Sequence, residues 1–228
     1  MALREDGWSV LAAPADAGAI VAQGDRYLWA GSSGYGPWRS PDGVEWEPVP
    51  HPPCHDSAVN ALACRADGTM VLASRGARSP IPTPLWLWDE QSWHKIDPPD
   101  HKHFYYVIKL WCPPDGSVWA LTSRGLWRWD GRDWDHVSAP PKRSLRTPYP
   151  IDVAIDSARD LCITSSATCG LLARRAGRLV RLEERPNRRQ PEPYLPYAGA
   201  LWLSNDRLWI LPAPDCLQSI DLAQLDAL

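Results

Sequence analysis

The feature that most constrains this chain is a four-part pattern that recurs along nearly all of its 228 residues. It is clearest in VIKLWCPPDGSVWALTSRGLWRWDGRDWDHVSAP, residues 107–140, which reads as four short apolar strands with Asp-Gly turns after the first and third. Asp-Gly between alternating apolar runs marks a hairpin, because glycine accepts the positive φ of a tight turn. The plan recurs upstream in residues 58–98 and 18–50, and downstream, with weaker turns, in residues 150–184 and 198–220. The turn anchors Gly24, Gly68, Gly116, Arg159 and Asp206 stand 44, 48, 43 and 47 residues apart, a period that suits one four-stranded blade per repeat. The expected fold is all-β, a single five-bladed β-propeller of four-stranded antiparallel blades spanning 1–228.

The two ends of the chain bear on closure. The fifth unit lacks the fourth-strand signature of a Trp followed closely by Pro, whereas EDGWSVLAAP at the N-terminus carries it, so that Trp8 aligns with Trp46, Trp93 and Trp134. An N-terminal strand at 7–13 that completes the last blade would remove both open sheet edges, which otherwise invite aggregation. The expectation is a monomeric closed ring.

Arg39-Ser40-Pro41-Asp42-Gly43-Val44-Glu45-Trp46 resembles the Asp-box turn of sialidase-like propellers, one residue short in the turn. In that family the box is structural and lies away from the active site, so the resemblance implies architecture. The chain is also similar to the two-component-regulator type of propeller repeat, and to the five-bladed tachylectin lectins in size and blade count. The last likeness implies carbohydrate binding as a second alternative, but the units differ too much in their loops for equivalent sugar sites.

In such a meander the Asp-Gly turns gather on one face and the long connections on the other, where function concentrates. Those connections are 13–17, 50–57, 98–106, 139–149 and 185–197. They hold His51, Cys54, His55 and Asp56, then Asp100, His101 and His103, a set that would bring imidazoles together if a divalent metal bound. Further on come Arg143, Arg146, Tyr149, Arg185, Arg188, Arg189, Tyr194 and Tyr197, guanidinium groups among aromatics that suit an anionic small molecule or an acidic protein, with nucleic acid a lesser alternative. Residues 142–189 carry eleven basic against five acidic side chains, although the whole chain has a net charge of −3.

Aligning the units on Trp29, Val71, Trp119, Cys162 and Trp209 puts Ala19, Ala61, Lys109, Asp152 and Gly199 at one position of the innermost strands. Lys109 and Asp152 are then read as a channel-lining ion pair, or as a base with its electrostatic partner. Cys64 and Cys112 share a position too and read as small core residues. The six scattered cysteines, the acidic opening segment and the lack of a long apolar run give a cytoplasmic protein with free thiols as the expectation. No catalytic motif is complete. The leading expectation is therefore a non-catalytic recognition module that needs no cofactor and binds a partner protein or anionic ligand through the loop face. A metal-assisted lyase or hydrolase using His55, His101 or His103 with Lys109 or Asp152 is the alternative.

Overall fold

Turn chemistry explains where the strands begin and end. The computed structural model describes residues 2–4, 7–9, 14, 16–32, 34–53, 58–74, 84–98, 106–122, 125–138, 150–156, 161–166, 170–175, 178–181, 198–204, 207–212, 218–221 and 223. The chain opens with the antiparallel pair β1 (Ala2–Arg4) and β2 (Gly7–Ser9). The first four-stranded sheet follows, with β3 (Ala17–Gln23), β4 (Tyr27–Ser32), β5 (Gly36–Ser40) and β6 (Glu47–Pro48) in chain order. The second is the meander of β7 (Val59–Cys64), β8 (Met70–Ser74), β9 (Leu85–Trp88) and β10 (Trp93–Ile96). The third repeats that order with β11 (Val107–Trp111), β12 (Val118–Thr122), β13 (Gly125–Trp129) and β14 (Trp134–Ser138). The fourth contains β15 (Pro150–Asp156), β16 (Leu161–Ser166), β17 (Gly170–Arg175) and β18 (Arg178–Arg181). A three-stranded sheet, β19 (Ala198–Ser204), β20 (Arg207–Pro212) and β21 (Gln218–Asp221), comes last. Among the described residues β2 pairs with β1; residues 10–13 of the strand expected to complete the last blade lie outside them.

Two units emerge from the packing, Met1–Trp119 with Trp129–Trp134, and Ala120–Arg128 with Asp135–Leu228. In the first, Trp29, Val49, Val59, Leu62, Met70, Leu72, Trp86 and Trp88 form a buried cluster between the first and second sheets, with Ala19 and Val21 of β3 packed on it. Period-two alternation accounts for β3: Ala19 and Val21 turn inward while Gly18, Ile20 and Ala22 are exposed. Gly31 is the close-approach point of these sheets, since a Cβ there would lie 2.5 Å from Val59 Cγ1.

The outer hairpins share one device. Asp42 Oδ1 accepts N–H bonds from Val44 at 2.8 Å and Glu45 at 3.1 Å, while Ser40 Oγ accepts from Gly43 N–H at 2.8 Å. These bonds hold the Asp42 carboxyl below its ordinary range, Val44 contributing most. Asp89 does the same with Gln91 and Ser92, and Asp130 with Arg132 and Asp133. Bonds from the Ser92 N–H and from His94 bring the Asp89 carboxyl down to about 2. Glycine takes the left-handed conformation after Asp42 and Asp130, with φ of +79° at Gly43 and +108° at Gly131. After Asp89 the residue is Glu90, which adopts φ +77° despite its side chain.

β3, β7, β15 and β19 each carry a β-bulge at one end. Gly18, Asn60, Ile151 and Gly199 are each skipped in the pairing of their strand with the next. The bulge corrects the repeat register. Ala19, Ala61 and Asp152 follow the bulge, but in the last sheet that place belongs to Ala200 and not to Gly199. Likewise Ile163, opposite Ala154, takes the position of Trp29 that the sequence alignment assigned to Cys162. A one-residue slip reverses which face a side chain uses, and an unpaired residue cannot be seen in a repeat that is matched by spacing.

Candidate functional site

Opposite ends of the first three sheets differ in chemistry. The inner hairpin turns are joined in series: Gln23 Nε2 donates to Gly68 O at 2.6 Å, and Arg65 Nε donates to Gly116 O at 3.1 Å. These bonds place the turns β3–β4, β7–β8 and β11–β12 side by side, on what is here the lower end. Gln23 is buried and fully used, because its Oε1 accepts from Trp29 Nε1 at 2.7 Å and its Nε2 also reaches Glu90 Oε1 at 2.9 Å. Glu90 is further held by Arg26 at 3.5 Å and Arg39 at 3.6 Å, and both guanidinium groups lie over the Tyr27 ring. The left-handed backbone of Glu90 costs about 1–3 kcal/mol and directs its carboxylate into this cluster. Nothing in the spacing of Gln23, Arg26, Arg39 and Glu90 marked them as neighbours.

Cys64 and Cys112 also lie toward this end as partly buried free thiols. Burial pushes the Cys112 thiol up to about 12 and raises Cys64 as well, which disfavours the thiolate form in both.

The upper end, where β4 meets β5, β6 leads to β7 and β11 begins, leaves aromatic side chains in solvent. Ser32 Oγ accepts from the N–H groups of Gly34 at 3.3 Å and Tyr35 at 3.0 Å, and this turn presents Tyr35 at 61% exposure. His51 lies across Gly36, where a Cβ would come within 1.9 Å of its Cε1. Tyr106, just before β11, is 45% exposed with φ +37°, a conformation that a bulky residue rarely adopts. Asn60, the bulged residue of β7, has a buried Nδ2 without a partner at the same end.

Gly36 is therefore constrained twice, by φ +80° and by the imidazole. Gly36→Ala is expected to cost about 1–3 kcal/mol. Thermal unfolding checks this, and a second substitution, His51→Ala, should restore only part of the loss, because it removes the clash but not the backbone strain.

Of the sequence-derived candidates, His51, Lys109 and Asp152 are described. His51 is exposed at the upper end and Lys109 is half-buried in β11. His55, His101, His103, Arg143, Arg146, Tyr149, Arg185, Arg188, Arg189, Tyr194 and Tyr197 lie outside the described residues. Asp152 is 4% exposed; its Oδ1 accepts from the Val153 N–H and its Oδ2 from the Leu201 N–H, both at 2.7 Å. The carboxylate thus ties β15 to β19, a role that the ion-pair reading did not include. Among the described residues no three His, Cys, Asp or Glu side chains gather as a metal site, and no helix is long and apolar enough to cross a membrane.

Comparison with known proteins rests on structure. No protein-family model and no curated protein sequence matches the chain. A structure of a catalytically inactive virginiamycin B lyase from Staphylococcus aureus with quinupristin is similar at 11% identity and a TM-score of 0.68, over 96% of this chain and 76% of that one. The β-propeller domain of Cps50 (Swd1) from Myceliophteria thermophila is similar at 10% identity and 0.64, over 92% and 67%. This chain has a β-propeller fold. YCF48 bound to D1 peptide is similar as well, at 16% identity and 0.61, over 91% of this chain and 64% of that one. At such identities the likeness carries the fold and no chemistry.

Proposed function

We propose that this propeller is a non-catalytic recognition module that binds a segment of a partner protein with its upper end. One observation carries the reading: the lower turns are tied to one another through Gln23 and Arg65, while the upper end holds Tyr35, His51 and Tyr106 in solvent. Tyrosine offers a large contact area with few rotatable bonds, so little entropy is lost on docking. Exposed aromatics on a rigid frame are what peptide recognition needs. Support from a neighbour is of the same kind, since the YCF48 structure holds a peptide on a related fold. The basic loops with Arg143, Arg146, Arg185, Arg188 and Arg189, outside the described residues, suit an acidic partner. The proposal needs no metal, and the carboxylate of Asp152, already bonded twice to backbone, is poorly placed to serve as a base.

The test uses the full chain as bait in a native extract. Wild type is compared with the triple variant Tyr35→Ala, His51→Ala, Tyr106→Ala, with charge reversal at Arg143, Arg185 and Arg188, and with a lower-end control, Arg26→Ala with Glu47→Ala. Partners retained by wild type and control should fall by roughly tenfold with the triple variant and with the charge reversal, the loss of one or two hot-spot side chains. Equal retention by all four baits would remove the proposed surface.

A further inference from the structure

Glu90 departs from the rule of its own repeat. The outer hairpin turns of the first and third sheets place glycine after the capping aspartate, Gly43 at φ +79° and Gly131 at φ +108°, whereas the second places Glu90 there at φ +77°. A side chain in the left-handed region is strained, so something must offset the cost. The offset is its carboxylate: Oε1 accepts from Gln23 Nε2 at 2.9 Å and lies 3.5 Å from Arg26 Nη1, while Oε2 lies 3.6 Å from Arg39 Nη1. Both guanidinium contacts are long, because a well-formed pair of this kind closes to about 2.7–2.9 Å. Glu90 fills its place poorly.

The donors are fixed without it. Gln23 is 2% exposed, and its amide is set by the indole N–H of Trp29 at 2.7 Å and by Gly68 O at 2.6 Å. Arg39 is held by Glu47 through Nε at 2.5 Å, and its guanidinium lies 4.7 Å from the centre of the Tyr27 ring. Arg26 flanks the same ring at 5.8 Å. One buried amide proton and two guanidinium groups over an aromatic ring therefore make a seat for a carboxylate, and the bonds that shape it do not involve the carboxylate itself. The turn that carries Glu90 is held independently too, since Asp89 Oδ1 accepts from the N–H groups of Gln91 and Ser92.

We infer that Gln23, Arg26 and Arg39 form a binding site for a small free carboxylate, and that Glu90 is its tethered competitor. A free acid reaches the same three donors without a left-handed backbone, and it closes the two contacts that the tether leaves long. A monocarboxylate is favoured over a phosphate dianion, because Glu47 already offsets part of the Arg39 charge. The room is that of one side chain between two turns held in place, which suits a small acid and not a polypeptide. The site lies at the lower end, apart from the upper-end surface, and stands whether or not that surface binds a partner.

Propionate, the Glu90 side chain without its tether, is the probe. It is titrated at constant ionic strength into the full-length wild type and Glu90→Gly, while NMR follows the Gln23 side-chain amide and the Arg39 Nε–H. A tethered occupant lowers the fraction of molecules open to the ligand, so Glu90→Gly should bind propionate roughly tenfold more tightly than wild type. Adding Arg39→Ala to Glu90→Gly should abolish the response. Equal affinity of wild type and Glu90→Gly, the same shifts with chloride, or a response that survives Arg39→Ala overturns the site. Tighter binding of inorganic phosphate overturns the ligand class, and tighter binding of a glutamate blocked at both main-chain ends gives the seat to a protein side chain and overturns the small-acid assignment. Should Glu90→Gly fail to fold, Glu90→Gln, which keeps the tether and removes the charge, should show the same ordering against wild type, and equal affinity there overturns the site.

Discussion

Trp29→Ala should lower the melting temperature by about 6–20 °C. Large-to-small changes at a buried Trp cost about 3–5 kcal/mol, and in a domain of this size each kcal/mol shifts the midpoint by about 2–4 °C. Trp29 is 0% exposed, at the centre of the cluster shared by the first two sheets. Its indole N–H also fixes Gln23, whose amide holds Gly68 O and Glu90, so the truncation empties a cavity and frees a buried polar group together. Trp29→Phe separates the contributions. It keeps most of the apolar volume and leaves the Gln23 oxygen unmatched, with an expected loss of about 1–3 kcal/mol. Denaturant unfolding of both variants checks the ordering, and equal losses would mean that the hydrogen bond, not the packing, dominates.

Asp152→Ala should cost about 2–6 kcal/mol, because the N–H groups of Val153 and Leu201 both lose their acceptor within a buried strand pair and each unmatched donor costs about 1–3 kcal/mol. Asp152→Asn should cost roughly half as much, since the amide oxygen satisfies one N–H while its NH2 group faces the other. Chemical unfolding measures both losses. An unchanged midpoint for either variant would show that the carboxylate does not carry the β15–β19 tie, and would return it to the catalytic reading.

Much of the local architecture was legible in the residues. Asp42-Gly43, Asp67-Gly68, Asp115-Gly116 and Asp130-Gly131 marked the hairpins, because an Asp side chain caps the turn from within and glycine alone takes the positive φ without strain. Tryptophans 46, 93 and 134 marked the outer strands for a similar reason: alternation and turn offset are properties of neighbouring residues. Glu90 was invisible. It occupies a glycine position of the repeat, and the partners that compensate its backbone, Gln23, Arg26 and Arg39, come from 51 to 67 residues away. The upper-end candidates divide likewise. His51 and the long connections could be picked out by composition, but Tyr35, Asn60 and the left-handed Tyr106 acquire meaning only from exposure, pairing and backbone angle.

By itself, then, the sequence determined the period, the strand and turn plan and the all-β class, since each depends on contacts within a few residues. The tertiary structure alone decided the true register, through bulges at Gly18, Asn60, Ile151 and Gly199, and the employment of Asp152, whose second acceptor bond spans 49 residues. A hydrogen-bond partner that distant is chosen by how sheets pack, and no spacing along the chain encodes it.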